Sequence, residues 1–121
     1  MTKPGVYFIV DFAVADGKLE AFQTIAQSMV EGTQQETGAL AYEFYFDRSQ
    51  KQCRLIEIYS DSNAALAHCQ GRVVQAMVPK LLEVSSLTGF SVYGDLSTEA
   101  AALLTQVGAQ LYSSSCGFNR F

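Results

Sequence analysis

The chain opens on a stretch in which apolar side chains occupy every second position: Val6, Phe8, Val10, Phe12 and Val14. Period two in β-branched and aromatic residues predicts a strand, whose side chains alternate between two faces. Beyond Ala15-Asp16-Gly17, a turn in which Asp16 is placed to cap a helix, the spacing changes to three and four through Leu19, Phe22, Ala26, Met29, Val30 and Thr33. It predicts a helix of about five turns ending near Thr37-Gly38. Leu40 to Phe46 and Cys53 to Tyr59 are two further strand-like runs, and the polar segment Asp47 to Gln52 between them predicts a hairpin.

Asp61 is placed to cap a second helix carrying Leu66, Cys69, Val73, Ala76 and Met77 at helical spacing, with Gly71 and Pro79 as breaks or kinks. Ser86 to Gly94 supplies a fourth strand. The order β-α-β-β-α-β is that of a ferredoxin-like split βαβ unit, an α+β fold with an antiparallel sheet. We take residues 1–96 as this domain. Residues 97–121 form a C-terminal helical arm whose amphipathic helix carries Leu103, Leu104, Val107 and Leu111, followed by Ser113-Ser114-Ser115 and the aromatics Phe118 and Phe121. Such a short helix is marginal alone and is expected to pack on the body or on a partner subunit.

A sheet with both helices on one side exposes its other face, which ordinarily shows polar residues. Here the first strand sets Tyr7, Ile9 and Ala13 opposite its apolar five, and the third sets Ile56 and Ile58 opposite Leu55 and Tyr59. Composition points the same way, because 49% of the 121 residues are hydrophobic and only 17% charged, against roughly 25% in an average soluble domain. Pairing of two such sheet faces in a homodimer covers the excess apolar surface. The net charge of −4, with scattered positive residues, argues against nucleic acid or an anionic membrane as partner.

Three cysteines, Cys53, Cys69 and Cys116, cannot all pair, and the region after Met1 lacks the basic start and apolar run of a signal peptide. A cytoplasmic protein without a membrane span is expected. No GxGxxG, Walker or GxSxG stretch and no zinc-type cysteine or histidine pairing occurs, so no metal and no nucleotide-derived cofactor is expected.

Three segments carry a resemblance. Glu36-Thr37-Gly38-Ala39-Leu40-Ala41-Tyr42-Glu43, then Ile56-Glu57-Ile58-Tyr59-Ser60-Asp61, then Ala64-Ala65-Leu66-Ala67-His68 together resemble the antibiotic biosynthesis monooxygenase (ABM) family, over roughly Val6 to Gly94. The resemblance implies a dimeric α+β barrel with a pocket between sheet and helices in each subunit. It also implies oxidation of phenols, quinols or polycyclic aromatics by molecular oxygen without metal, haem or flavin. Related proteins degrade haem, but this chain has no tryptophan and carries Met77 and Val78 about ten positions beyond His68, where that branch has its haem-ligating histidine. Those departures count against haem chemistry.

His68 is the only histidine and thus the one side chain whose ordinary pKa suits a base near neutrality. It is either a catalytic base or hydrogen-bond donor toward a phenolic substrate, or a structural histidine bonded to a backbone or tyrosine oxygen. Glu57 interrupts an apolar strand, where burial should raise its pKa. It either anchors a ligand in the pocket or pairs with Arg54, Arg72 or a tyrosine hydroxyl. Tyr42, Tyr59 and Tyr93 lie on strands and are candidates to line the pocket, or else belong to the core. Cys69 adjoins His68, yet neighbouring helix positions point about 100° apart, so a Cys-His couple is poor geometry. Function classes left open are a cofactor-independent monooxygenase, a non-catalytic ligand-binding or interaction module, and a cofactor-free isomerase or cyclase.

Overall fold

In the computed structural model, which describes residues 5–120, the alternating residues of the first strand organise everything else. Val6, Phe8, Val10 and Phe12 are all buried on one face of β1 (Val6–Val14), the central strand of the sheet. The remaining elements are α1 (Leu19–Thr33), β2 (Ala39–Phe46), β3 (Gln52–Tyr59), α2 (Ser62–Gln70), α3 (Arg72–Leu81), β4 (Ser85–Gly94), α4 (Thr98–Gln106) and β5 (Gln110–Tyr112). The sheet order is β2-β3-β1-β4-β5, with β1 antiparallel to both β3 and β4. This is the split βαβ arrangement, and the sheet is open rather than closed.

Helix α1 lays Phe22, Ala26, Met29 and Thr33 against the inner sheet face. Phe22 is fully buried and meets Phe12, Phe44 and Phe46 edge-on, an arrangement favoured by the ring quadrupoles. Asp16 does not cap this helix. The Lys18 amide donates to the Ala15 carbonyl at 3.0 Å, closing a turn with Gly17 at φ +74°, and Lys18 occupies the cap position without a side-chain hydrogen bond. The helix also stops at Thr33, about a turn short of the expected end, because tighter turns take over at Gln35 and Glu36.

Asp61 does cap α2, its Oδ1 accepting from the Ala64 amide at 2.8 Å. The predicted second helix is two helices, broken at Gly71, whose backbone is extended. Pro79 lies within α3 and does not end it. The inward face of this pair is carried by Ala65, His68, Val73 and Leu81; Ala76, expected to be apolar-facing, is exposed. Gly38 is a close-approach position, where a side chain would run into the Ala64 methyl, so the α1–β2 turn packs directly on α2.

The arm differs most from expectation. Its helix ends at Gln106, and Leu111 falls instead on β5, which pairs in parallel with β4 through Ser91, Val92 and Tyr93. Ala100 and Leu104 are buried, whereas Val107 and Leu111 are exposed. The Ser62 hydroxyl accepts from the Ser97 amide at 2.8 Å, tying the start of α4 to the start of α2. Phe121, placed at the end of the arm, lies outside the described residues. Among the described residues no helix is long and apolar enough to cross a membrane, and Cys53, Cys69 and Cys116 are free thiols.

Candidate active site

Strand alternation delivers the first part of the site. Leu55, Glu57 and Tyr59 share the inner face of β3, so a carboxyl group is carried into the core between two apolar neighbours. Tyr42 on β2 faces the same space from beside it, directly paired with Glu57. Helix α2, started by the Asp61 cap, turns His68 down onto these residues. Glu57 and His68 are 4% and 3% exposed, so both polar heads must find partners inside the protein.

They do so in a chain. His68 Nδ1 lies 2.8 Å from Glu36 Oε1, and His68 Nε2 lies 3.6 Å from Glu57 Oε1. The Tyr59 hydroxyl donates to the same Glu57 oxygen. A carboxylate at Nδ1 assigns the ring proton to that nitrogen, which leaves the Nε2 lone pair directed toward Glu57. The rings of Tyr42 and Tyr59 flank the imidazole, with centroids 5.5 and 5.2 Å away.

Burial sets the charges. It pushes the Glu57 carboxyl up to about 8, with the nearby Glu36 charge adding to the rise while the Tyr59 hydrogen bond opposes it. It also lowers His68 below the ordinary imidazole value, against the opposing pull of Glu36. Near neutral pH the couple is therefore an uncharged imidazole base beside a largely protonated carboxylic acid. The phenols of Tyr42 and Tyr59 are driven well above their usual range, first by burial and then by Glu57, so both remain neutral hydrogen-bonding groups. Burial pushes the Cys69 thiol up to about 12, which makes it a poor nucleophile.

Glu57, His68, Tyr42 and Cys69 stand at the edge of a cavity of about 340 Å³ between the inner sheet face and the helices. Apart from these and Gln75, the cavity wall is apolar. On the far side of His68, Glu36 is only partly buried and lines a separate open cleft with Asn63 and Arg72. The three groups thus lead from an apolar interior to solvent. Among the described residues no group of three or more His, Cys, Asp and Glu is placed to hold a metal ion.

Of the five residues singled out in the sequence, Tyr42, Glu57, Tyr59 and His68 come together. Tyr93 does not join them. It sits on the outer sheet face, opposite Tyr7 and stacked on Tyr112 at 5.0 Å, because β4 turns Val92 inward to pair with Phe8. Of the partners expected for Glu57, the tyrosine hydroxyl is present, while Arg54 pairs with Asp11 at 2.7 Å instead. The partner of His68 is neither backbone nor tyrosine oxygen but Glu36, which sequence reasoning passed over. The only sequence signal for it is its place at the head of the Glu36–Glu43 segment.

An open sheet, antiparallel but for its parallel edge strand β5, with a ligand-sized space between it and the helices, defines a ferredoxin-like α+β domain built around an internal cavity. The chain belongs to the antibiotic biosynthesis monooxygenase family, whose family model matches residues 5–80. Among solved structures it is similar to MupZ from Pseudomonas fluorescens, with a TM-score of 0.83 at 23% identity over 98% of this chain and 96% of that one. It is also similar to an antibiotic biosynthesis monooxygenase, at TM-score 0.64 and 22% identity over 72% of this chain and 92% of that one. A mutant of SnoaB, a cofactor-independent oxygenase from Streptomyces nogalater, superimposes at TM-score 0.69 and 14% identity over 79% of this chain and 97% of that one. At these identities the likeness is one of fold. No curated protein sequence gives a match.

The shifted carboxyl makes a pH prediction. Glu57 holds its proton up to about pH 8 when folded, whereas an unfolded glutamate releases it near its ordinary value of 4.5. Between those values the folded state binds the extra proton, so stability is full below the lower value and falls as pH rises through the upper one. His68 acts in the opposite sense but only below its unfolded value of 6.5. From pH 6.5 to 8 Glu57 acts alone, and the loss should approach about 2 kcal/mol, or several degrees in Tm. Thermal melts of the wild type should show this decline, and Glu57→Gln should flatten it; an equal slope in both would show that Glu57 is not the group responsible.

Proposed function

We propose that this protein is a cofactor-independent monooxygenase acting on a phenolic, quinol or polycyclic aromatic substrate, with His68 as base and Glu57 as acid. The observation that carries this reading is a buried imidazole and a buried carboxyl facing each other, Nε2 to Oε1 at 3.6 Å, at the edge of an apolar cavity. Conversion of a phenol to a quinone by oxygen yields one water, and takes one proton from the hydroxyl and one from the ring carbon while delivering two to the departing oxygen. His68 Nε2 takes the phenolic proton, and Glu36 at Nδ1 stabilises the resulting imidazolium. The electron-rich ring of the phenolate then reduces oxygen and forms a carbon–oxygen bond, and the His68 imidazolium gives its proton to the peroxide, yielding a hydroperoxide. His68 Nε2 then takes the ring hydrogen as a proton, its electron pair forms the second carbonyl as the O–O bond breaks, and Glu57 supplies the proton with which the leaving hydroxide departs as water. The apolar walls exclude water from the carbanion, and Glu36 at the open cleft exchanges protons with solvent.

Tyr42 serves as a neutral wall of the cavity beside the imidazole, and Tyr59, fully buried and outside the cavity lining, holds the Glu57 carboxyl through its hydroxyl. Tyr93, on the outer face, is proposed to act at a subunit contact rather than on substrate. The apolar outer residues Tyr7, Ile9, Ile56 and Ile58 support a homodimer formed through that face.

The adjacent acid and base also suit a second reading, a cofactor-free isomerase or cyclase, since shuttling one proton out and one in requires no oxygen. Oxygen uptake separates the two. A panel of hydroquinones and polycyclic phenols offered to the wild-type protein should produce substrate-dependent oxygen consumption matched one-to-one by product. Turnover without oxygen uptake would favour the second reading, and tight binding without turnover would reduce the protein to a binding module.

A further inference from the structure

The cavity has two unlike ends. At one end stand Glu57 and His68, buried and polar. At the other, its wall reaches solvent through Leu82, Leu87 and Val107, which are 42%, 44% and 54% exposed. Three large aliphatic side chains from three different elements, the end of α3, strand β4 and the end of α4, line this one cavity, and Leu87 lies level with Phe12, four residues along β1 from the Phe8 that pairs with Glu57. A scattered exposed leucine needs no explanation, but three exposed aliphatic side chains lining one cavity with a polar inner end give it an apolar outer wall.

Part of that outer wall is furnished by the arm. Leu103 and Val107 come from α4 and its C-terminal cap, whereas the family model stops at residue 80. Leu104, one position on from Leu103, is buried, and Ser62 holds the Ser97 end, so α4 is anchored on the body and not a loose flap. The wall it adds is a built feature. At about 340 Å³ the enclosed space is at the small end of ligand pockets, so a substrate larger than a compact ring system must extend through this opening.

We infer that the site takes an amphiphilic substrate, its oxygen-bearing head at Glu57 and His68 and an aliphatic chain leaving between α3 and α4 over Leu82, Leu87 and Val107. The inference rests on the phenolic reading of the head site and adds a chain to it. Each methylene laid on this wall leaves water, which corresponds to about a three- to fourfold gain in affinity.

The test is calorimetric binding of a 4-alkylphenol series, from methyl to hexyl, to the full-length protein. Affinity should climb about three- to fourfold per methylene in the wild type. Val107→Asp and Leu82→Asp, both at exposed positions, should flatten that climb by placing a charge on the wall. A flat series in the wild type, or an equally steep one in both variants, would overturn the inference while leaving the head site intact. Failure of every phenol to bind, the shortest included, would overturn the phenolic reading and this inference with it.

Discussion

Replacing His68 by alanine should lower turnover by about 10²–10⁴, the range expected when a positioned general base is removed. The loss should appear in kcat, because the imidazole acts as substrate loses its proton and the cavity walls that bind the ring are untouched. Stability will fall as well, since His68 is 3% exposed and its removal leaves Glu57 without its neighbour. Two companion variants separate these effects. Glu57→Gln keeps the shape and a hydrogen-bonding partner for Tyr59 but cannot deliver a proton, so it should lose rate while staying folded. Glu36→Gln keeps a hydrogen bond to Nδ1 yet removes the charge that steadies the imidazolium, and should lose less. Oxygen uptake and thermal midpoint measured on the same preparations decide the matter, and a folded His68→Ala with wild-type activity would exclude catalysis by this residue.

Ile9→Glu should convert the proposed dimer into a folded monomer. Ile9 lies on the outer face of the central strand, directly paired with Ile56 on β3, and is only partly buried in the single chain. A glutamate there can reach water in a monomer, so the fold should survive. In a two-fold interface the same substitution occurs twice, which buries two unpaired like charges and costs several kcal/mol, or a thousandfold or more in the dimer dissociation constant. Sedimentation at micromolar concentration is the measurement. A wild type that sediments as a monomer would remove the homodimer, and a variant that remains dimeric would place the contact on another surface.

Much of the site was legible because it lies on regular elements. Period-two alternation puts Glu57 on the face of Leu55 and Tyr59, and the Asp61 cap sets the start of the helix that carries His68. Alternation alone does not say which of a strand's two faces looks inward, and Tyr93 shows the consequence. Its orientation follows from the pairing of Val92 with Phe8, a register between strands more than eighty residues apart in the chain. Glu36 sits in an irregular turn with no period to read, and its contact with His68 spans 32 positions. The arm was legible as an amphipathic helix, whose cap in the structure is Ser97 accepting from the Ala100 amide at 3.1 Å, but not as a cavity wall or as the lead into an added parallel strand.

The sequence by itself determined the β-α-β-β-α-β order of the main elements, the apolar face of β1, and a carboxyl, a lone histidine and three strand tyrosines as candidates for one site. Those follow from local spacing, because side-chain direction within a strand or helix repeats with its backbone geometry. Only the tertiary structure decided that Glu36 holds the histidine, that Tyr93 looks away, and that Leu103 and Val107 close over the cavity. These depend on distant segments meeting, and burial at those meetings, rather than residue type, puts a protonated carboxyl beside a neutral imidazole.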